Sequence, residues 1–152
     1  MNNFKPSMEC FSLAMQFEGC KLKSYQDERG IWTIGIGHTK GVYENQTITI
    51  QKAQELFYAD MNERAQQVNA VINSNINQNQ FDACLDFVFN CGIGNFMQST
   101  LLKLINANSN DQNIEAQFLV WNKIRINGIL MPSKGLLRRR QAEWYLYSKQ
   151  IN

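Results

Sequence analysis

The chain has 152 residues, the size of one ordinary domain with room for a hydrophobic core. Its 44% hydrophobic and 18% charged residues are typical of a globular protein and exclude a disordered chain. The sequence contains no run of about eighteen apolar residues, which argues against a membrane-spanning helix.

The net charge of +2 is unevenly distributed. Residues 103–152 contain eight basic and three acidic side chains, a difference of +5. A basic half attracts acidic polymers such as nucleic acid, anionic lipid or anionic cell wall, and it is equally compatible with a merely solvated surface. Charge alone therefore leaves the partner open.

The N-terminal segment does not have the features of a secretory signal. It contains Lys5, Pro6 and Glu9, and it lacks an apolar core followed by a small-residue cleavage site. We therefore expect a protein that is made and folded in a cytoplasm, without a signal peptide or membrane anchor.

The four cysteines are expected to be free and mostly buried. On one helix, Cys84 and Cys91 would lie roughly 10 Å apart along the axis, too far for a disulfide. The same argument applies to Cys10 and Cys20 if both lie on the first helix, so only pairs between the two groups stay possible. Because zinc-site spacing is absent and His38 is the single histidine, we expect no metal and no other cofactor.

The N-terminal third is predicted to form a short helix and a hairpin. The helix covers about 7–17, with Leu13, Ala14, Phe11 and Met15 on its apolar side, and Gly19 ends it just after Glu18. Strands over 24–27 and 31–39 follow, joined by a turn. Alternation assigns the second strand's residues to two faces, one with Thr33, Gly35, Gly37 and Thr39 and the other with Trp32, Ile34, Ile36 and His38. The face of threonines and glycines would admit a ligand close to the backbone.

Helical periodicity dominates after residue 50. A long helix runs from Thr49 to about Asn73, and its apolar positions are Ala53, Phe57, Met61, Ala65, Val68 and Ile72. A second helix follows Asn77 and ends near Gly92. Further helices are predicted over 99–106, 112–121 and 134–148. We expect an α+β fold in one domain, with a mixed lobe (1–50), a linking helix (50–75), a helical lobe (76–152) and a cleft between the lobes.

Glu18, Asp27 and Thr33 form the candidate catalytic set. A helix end and a tight hairpin can bring two carboxyls and a hydroxyl around one groove. Glycosidic bond cleavage needs one carboxyl that stays protonated, as in an apolar setting like that of Glu18, and one ionised carboxylate in a wetter setting. A threonine hydroxyl can orient a water molecule. Taken alone, however, the spacing is weak evidence, because such trios occur in most proteins.

The surrounding residues resemble the phage lysozyme family, the lambdoid-type endolysins of glycoside hydrolase family 24. The family's catalytic signature resembles the stretch Phe17, Glu18, Gly19, Leu22, Tyr25, Asp27, Gly30 and Trp32 to Thr39. Its second block resembles Phe89, Asn90, Gly92, Gly94, Phe96 and Ser99 to Leu102. Its C-terminal block resembles Trp121, Gly135, Leu136, Arg139, Arg140 and Glu143. The similarity covers almost the whole chain, in the family's order.

The resemblance implies a lysozyme-like fold and a muramidase that cleaves the β-1,4 bond between N-acetylmuramic acid and N-acetylglucosamine in peptidoglycan, without a cofactor. Glu18 would be the general acid, Asp27 would stabilise positive charge on the sugar, and Thr33 would hold the attacking water. The family is generally inverting, which implies carboxyls roughly 6.5–9.5 Å apart. The enzyme would leave the host cytoplasm through a membrane pore, act as a monomer on the wall in the periplasm, and neither bind nucleic acid nor insert stably into a membrane.

Four further residues are interpreted as substrate-binding. We expect Gly35 and Gly37 to let sugar lie against the strand, and the alternative explanation is tight packing or a bulge. Asn90 and Ser99 lie beside glycines in a turn that should face the cleft, and Asn90 could instead cap a helix. We expect a structural role near the lobe junction for His38, because alternation places it opposite Thr33.

Arg138, Arg139 and Arg140 cannot all face one site, since they fan over about 200° of a helix. A fold-stabilising or wall-facing role is the expectation, because no nucleic-acid-binding signature accompanies them.

Three alternatives to the muramidase stay open. They are a non-catalytic wall-binding module on the same scaffold, a lytic transglycosylase, and a basic nucleic-acid-binding protein.

Overall fold

The structure, a computed structural model, describes residues 2–151 and contains α-helices and two antiparallel hairpins within that range. Met1 and Asn152, the outermost residues of the predicted lobes, lie outside the described residues. The elements are α1 (Met8–Glu18), β1 (Lys21–Gln26), β2 (Trp32–Gly35), α2 (Ile50–Val71), α3 (Gln78–Cys91), α4 (Ile93–Gln98), α5 (Thr100–Ala107), α6 (Ile114–Leu119), β3 (Lys123–Ile126), β4 (Ile129–Pro132) and α7 (Lys134–Ser148). The predicted α+β class is confirmed.

Helix α1 begins and ends where the sequence predicts. The side chain of Ser7 accepts a hydrogen bond from the backbone N–H of Cys10, and Gly19, with a φ of 65°, ends the helix. Leu13 is buried as expected, but Met15 is 45% exposed, so its assignment to the apolar side is wrong. The helix packs on α3 and α7, which leaves Glu18 at the edge of the helical core.

The first hairpin is shorter than predicted. Strands β1 and β2 pair with Tyr25 opposite Thr33, but β2 ends at Gly35 instead of continuing to Thr39. Gly35 and Gly37 have φ values of +64° and +70°, which are incompatible with an extended strand. Ile34 and His38 exchange two backbone hydrogen bonds of 2.9 and 3.0 Å across this tight turn. The predicted alternation of faces is therefore wrong beyond residue 35.

Helices α2 and α3 form the centre of the fold. The six apolar positions predicted for the long helix are all buried, and α2 packs on β2, α3 and α4. Helix α3 starts with a capping box formed by Asn77 and Gln80, and every residue from Gln80 to Val88 is buried. It packs against α1, α2, α4 and α7. Asp82 and Asp86 lie within this buried stretch and therefore need polar partners.

The second hairpin, β3–β4, was not predicted, and neither was α4. Asn127 and Gly128 form the two-residue connection, with φ values of 50° and 79° that match a type I′ turn. Ser133 then caps α7 and ties the base of the hairpin to Asn122 through a 2.8 Å backbone hydrogen bond. The bounds of α7 agree with the prediction.

Two further findings concern the described residues. Cys10 and Cys84 are buried free thiols, Cys91 is half-buried, and Cys20 is exposed and lies just beyond α1. Within residues 2–151, each helix is either too short or too polar to cross a membrane.

Candidate active site

Glu18 lies where α1, α7 and the turn after β2 meet. Its side chain is 19% exposed, and its Oε1 is 2.5 Å from Nη1 of Arg139. The apolar setting expected for this carboxyl is therefore wrong, because a guanidinium contacts it. A Cβ atom on Gly37 would lie 2.9 Å from Oε2 of Glu18 and 3.1 Å from the ring of Phe89. Only glycine therefore lets the turn approach the carboxyl this closely.

Asp27 starts the turn between β1 and β2. Its Oδ1 accepts hydrogen bonds from the backbone N–H groups of Arg29 (2.8 Å) and Ile31 (3.0 Å), and its Oδ2 lies 3.1 Å from Nη2 of Arg29. The side chain is 23% exposed. The turn therefore holds the carboxylate in a fixed orientation while leaving it open to solvent.

Tyr25 connects the three residues of the candidate catalytic set. It pairs across the hairpin with Thr33, which is 3% exposed and donates its hydroxyl hydrogen to the carbonyl of Ile31 at 2.9 Å. Burial raises the pKa of Tyr25, and the negative charges of Glu18 and Asp27 raise it further. The phenol of Tyr25 is therefore affected by the charges of both carboxylates, and its partner across the hairpin is Thr33.

Arg139 contacts the carboxyl of Glu18, a role that the sequence analysis does not predict. Its Nε and Nη2 each donate a 2.9 Å hydrogen bond to the carboxylate of Asp86, and its remaining nitrogen, Nη1, contacts Glu18. Arg139 is 4% exposed and Asp86 is fully buried. Burial opposes ionisation of Asp86, but the charge and hydrogen bonds of Arg139 keep its pKa below the ordinary value.

A second buried pair extends the cluster. Nη2 of Arg140 donates to Oε1 of Glu143 at 2.6 Å and to Oδ1 of Asn90 at 2.9 Å, and Nη1 lies 2.7 Å from the sulfur of Cys91. Nε of Arg139 is 3.9 Å from Oε1 of Glu143. Arg140 and Glu143 are both fully buried. We define the buried charge cluster as Arg139, Arg140, Glu18, Asp86 and Glu143.

The buried charge cluster contains three carboxyl groups and two guanidinium groups. With all five groups ionised, three negative charges would face two positive ones. Burial raises the pKa of Glu143 well above its ordinary value, against the opposing effect of Arg140. Among the described residues no N–H or O–H group donates to Oε2 of Glu143. A neutral Glu143 would balance the charges of the cluster and would leave Oε2 free to act as a donor.

The four predicted substrate contacts lie in different settings. Gly35 is buried, and a Cβ there would lie 3.3 Å from that of Ala53. Ser99 is 4% exposed and caps α5 by accepting from the N–H of Leu102. Asn90 is half-buried and accepts from Arg140, whereas Gly37 approaches Glu18. Contact of these four residues with sugar stays a prediction.

His38 makes the kind of contacts expected of a structural residue. Its Nδ1 is 2.7 Å from Oδ2 of Asp60 on α2, and its Nε2 is 2.9 Å from the carbonyl of Lys40. Both ring nitrogens are therefore occupied by contacts within the protein. Among residues 2–151, the His, Cys, Asp and Glu side chains form no group of three that could hold a metal ion.

Comparison with known proteins identifies a family. The sequence profile of the family described as phage lysozyme matches residues 15–143. The endolysin of Acyrthosiphon pisum secondary endosymbiont phage 1 is 38% identical over 135 residues, covering 89% of this chain and 92% of that protein.

Solved structures give the same result. The endolysin from Escherichia coli O157:H7 phage FAHEc1 superposes with a TM-score of 0.88 at 31% identity, over 99% of this chain and 97% of that one. The muramidase domain of SpmX from Asticaccaulis excentricus gives 0.86 at 31% identity, over 97% of this chain and all of that domain.

Replacing Glu143 by glutamine should make stability less dependent on pH. The folded pKa of Glu143 is raised, so its stabilising contribution is complete below the unfolded value, near 4.5, and is lost as pH rises towards the folded value. Glutamine keeps a donor for Asp86 and an acceptor for Arg140 without that loss. The free energy of unfolding of Glu143→Gln, measured by thermal unfolding at a series of pH values, should therefore gain on that of the wild type as pH rises above about 4.5, by up to about 1.4 kcal/mol per pH unit.

Glu63→Gln serves as the control, because Glu63 is an exposed glutamate on α2. Its melting temperature should follow that of the wild type at each pH. A difference between Glu143→Gln and wild type that is constant or shrinks with pH would mean that Glu143 is ionised in the folded protein.

Proposed function

The chain belongs to the phage lysozyme family of peptidoglycan-degrading glycoside hydrolases, and from this premise we propose that it hydrolyses the β-1,4 bond between N-acetylmuramic acid and N-acetylglucosamine. The observation that carries the proposal is the exposure of the carboxyls in the buried charge cluster. Asp86 and Glu143 have no exposed surface, whereas Glu18 is 19% exposed. Glu18 is thus the one carboxyl of the cluster that can meet a substrate and exchange a proton with water.

Glu18 is the proposed general acid. In the proposed step Glu18 gives a proton to the glycosidic oxygen as the bond to the sugar breaks, and it is left as a carboxylate that faces the guanidinium of Arg139, 2.5 Å away. Arg139 itself is held by two hydrogen bonds to Asp86. It acts as a positioning residue, because its fixed guanidinium fixes the carboxyl that it contacts.

Asp27 and Thr33 serve the other side of the reaction. The carboxylate of Asp27, oriented by the turn, stabilises the positive charge that develops on the sugar ring. The hydroxyl of Thr33 donates to the carbonyl of Ile31, so its oxygen is left as an acceptor that can orient the attacking water. We propose inversion at the anomeric carbon, since a held water rather than an enzyme carboxylate attacks.

The proposed substrate cleft lies between two lobes. We propose that residues up to about 50 form a mixed lobe and residues from about 76 a helical lobe, with α2 as the link. Helix α1, although it belongs to the first of these ranges, packs on α3 and α7. We propose that the protein works as a monomer, without nucleic acid, and lyses the infected host after release from the cytoplasm through a membrane pore.

Glu18→Gln should abolish hydrolysis while the protein stays folded. The amide has the shape of the carboxyl but cannot supply the proton, so we expect the release of reducing ends from purified peptidoglycan to fall by at least about 100-fold. Glu28→Gln is the matched control, because Glu28 is an exposed glutamate in the turn next to Asp27. Equal activity of folded Glu18→Gln and the wild type would refute the proposed acid.

The anomeric configuration of the first products tests the stereochemistry. Inversion of a β linkage gives α-configured reducing ends, which proton NMR detects before mutarotation equilibrates them. β-Configured products would contradict inversion. A product without a reducing end would instead identify a lytic transglycosylase.

A further inference from the structure

The β3–β4 hairpin has one apolar and one basic face. The register pairs Ile124 with Met131 and Ile126 with Ile129, so these four aliphatic side chains share one face. The opposite face pairs Lys123 with Pro132 and Arg125 with Leu130. The sequence thus concentrates large apolar groups on a two-stranded element that has no third strand.

Three of the four residues on the apolar face of the hairpin are exposed and Ile124 is half-buried, while Leu130 is exposed on the opposite face. Ile129 is 65% exposed, Leu130 55%, Met131 45% and Ile126 40%. Strands β3 and β4 pack chiefly on each other, whereas the helices pack on several neighbours. A two-stranded hairpin gains little stability by itself in water, so its exposed aliphatic groups are not explained by the fold.

The chain segment that contains the hairpin carries charge of one sign. Residues 116–142 contain no aspartate or glutamate. Arg139 and Arg140 are buried and form ion pairs in the buried charge cluster. Lys123, Arg125 and Lys134 are exposed. Arg138, on the first turns of α7, is exposed as well. The hairpin therefore combines an exposed apolar face with exposed cations on its other face and on the start of α7.

We propose that the β3–β4 hairpin docks the protein on the surface of an anionic phospholipid bilayer. Ile126 and Ile129, which flank the turn, would enter the boundary between headgroups and acyl chains, and the exposed cations would bind lipid phosphates. A nucleic acid would use the cations but not the aliphatic face. A second copy of the chain would cover the aliphatic face only by bringing like charges together. The binding is peripheral and places no segment across the membrane.

Vesicle co-sedimentation tests this proposal with the full chain. The probes are vesicles of equal parts phosphatidylglycerol and phosphatidylcholine, and vesicles of phosphatidylcholine alone. We expect binding to the anionic vesicles only, lost at high salt as the charges are screened. Because these vesicles contain no peptidoglycan, the result is independent of the proposed glycosidase activity.

Two sets of variants separate the contributions. Ile129→Asn should lower the partition coefficient about tenfold, and the double variant Lys123→Gln, Arg125→Gln should lower it about 30-fold. Ile50→Asn is the matched control, because Ile50 is 60% exposed at the start of α2 and lies outside the hairpin. It should bind like the wild type. Since Ile129 is exposed, its substitution should also leave the melting temperature unchanged.

Several results would overturn the proposal. They are no binding of the wild type to anionic vesicles, equal binding to both kinds of vesicle, and equal loss in Ile129→Asn and Ile50→Asn. Loss of sedimentation with purified peptidoglycan sacculi in Ile129→Asn, without vesicle binding by the wild type, would assign the hairpin to the cell wall. A wild-type dimer in light scattering that Ile129→Asn dissociates would assign it to a second copy.

Discussion

The ion pairs of Arg139 are the interaction on which the site depends. One guanidinium, 4% exposed, binds Asp86 of α3 through two nitrogens and Glu18 of α1 through the third. Removing the arginine would leave the fully buried carboxylate of Asp86 without this partner, at a cost of about 3–5 kcal/mol. The same contact therefore connects α1, α3 and α7 and fixes the orientation of Glu18, 121 residues away in sequence.

The buried charge cluster also explains how the protein keeps one reactive carboxyl among several. The charge and hydrogen bonds of Arg139 lower the pKa of Asp86, whereas burial raises the pKa of Glu143, so the two carboxyls are driven in opposite directions. Both are fully buried. Glu18 is left at the rim, where the turn containing Gly37 presses against it. Stability and the acid-base site thus share one set of contacts.

Local signals in the sequence account for what could be predicted. The apolar spacing from Ala53 to Ile72 correctly predicts the buried side of α2, and Asn77 and Gly92 correctly predict the ends of α3. Both predictions succeed because helix caps and helical periodicity depend on residues a few positions apart. The predicted extent of β2 is wrong. The alternating pattern of the sequence continues past Gly35, but the positive φ of Gly35 ends the strand there. Asn127-Gly128 is a hairpin signal that the prediction overlooked. The partners of Arg139 could not be predicted, because they come from distant segments.

A double-mutant cycle between Arg139→Lys and Glu18→Gln tests the central claim, that Arg139 serves the reaction through Glu18. Lysine keeps the charge but cannot bind Asp86 twice and Glu18 at once. We predict that Arg139→Lys, folded by circular dichroism, hydrolyses peptidoglycan at least about tenfold more slowly. In the Glu18→Gln background it should change the residual rate no further. Wild-type activity in Arg139→Lys, or losses that multiply in the double variant, would contradict the account.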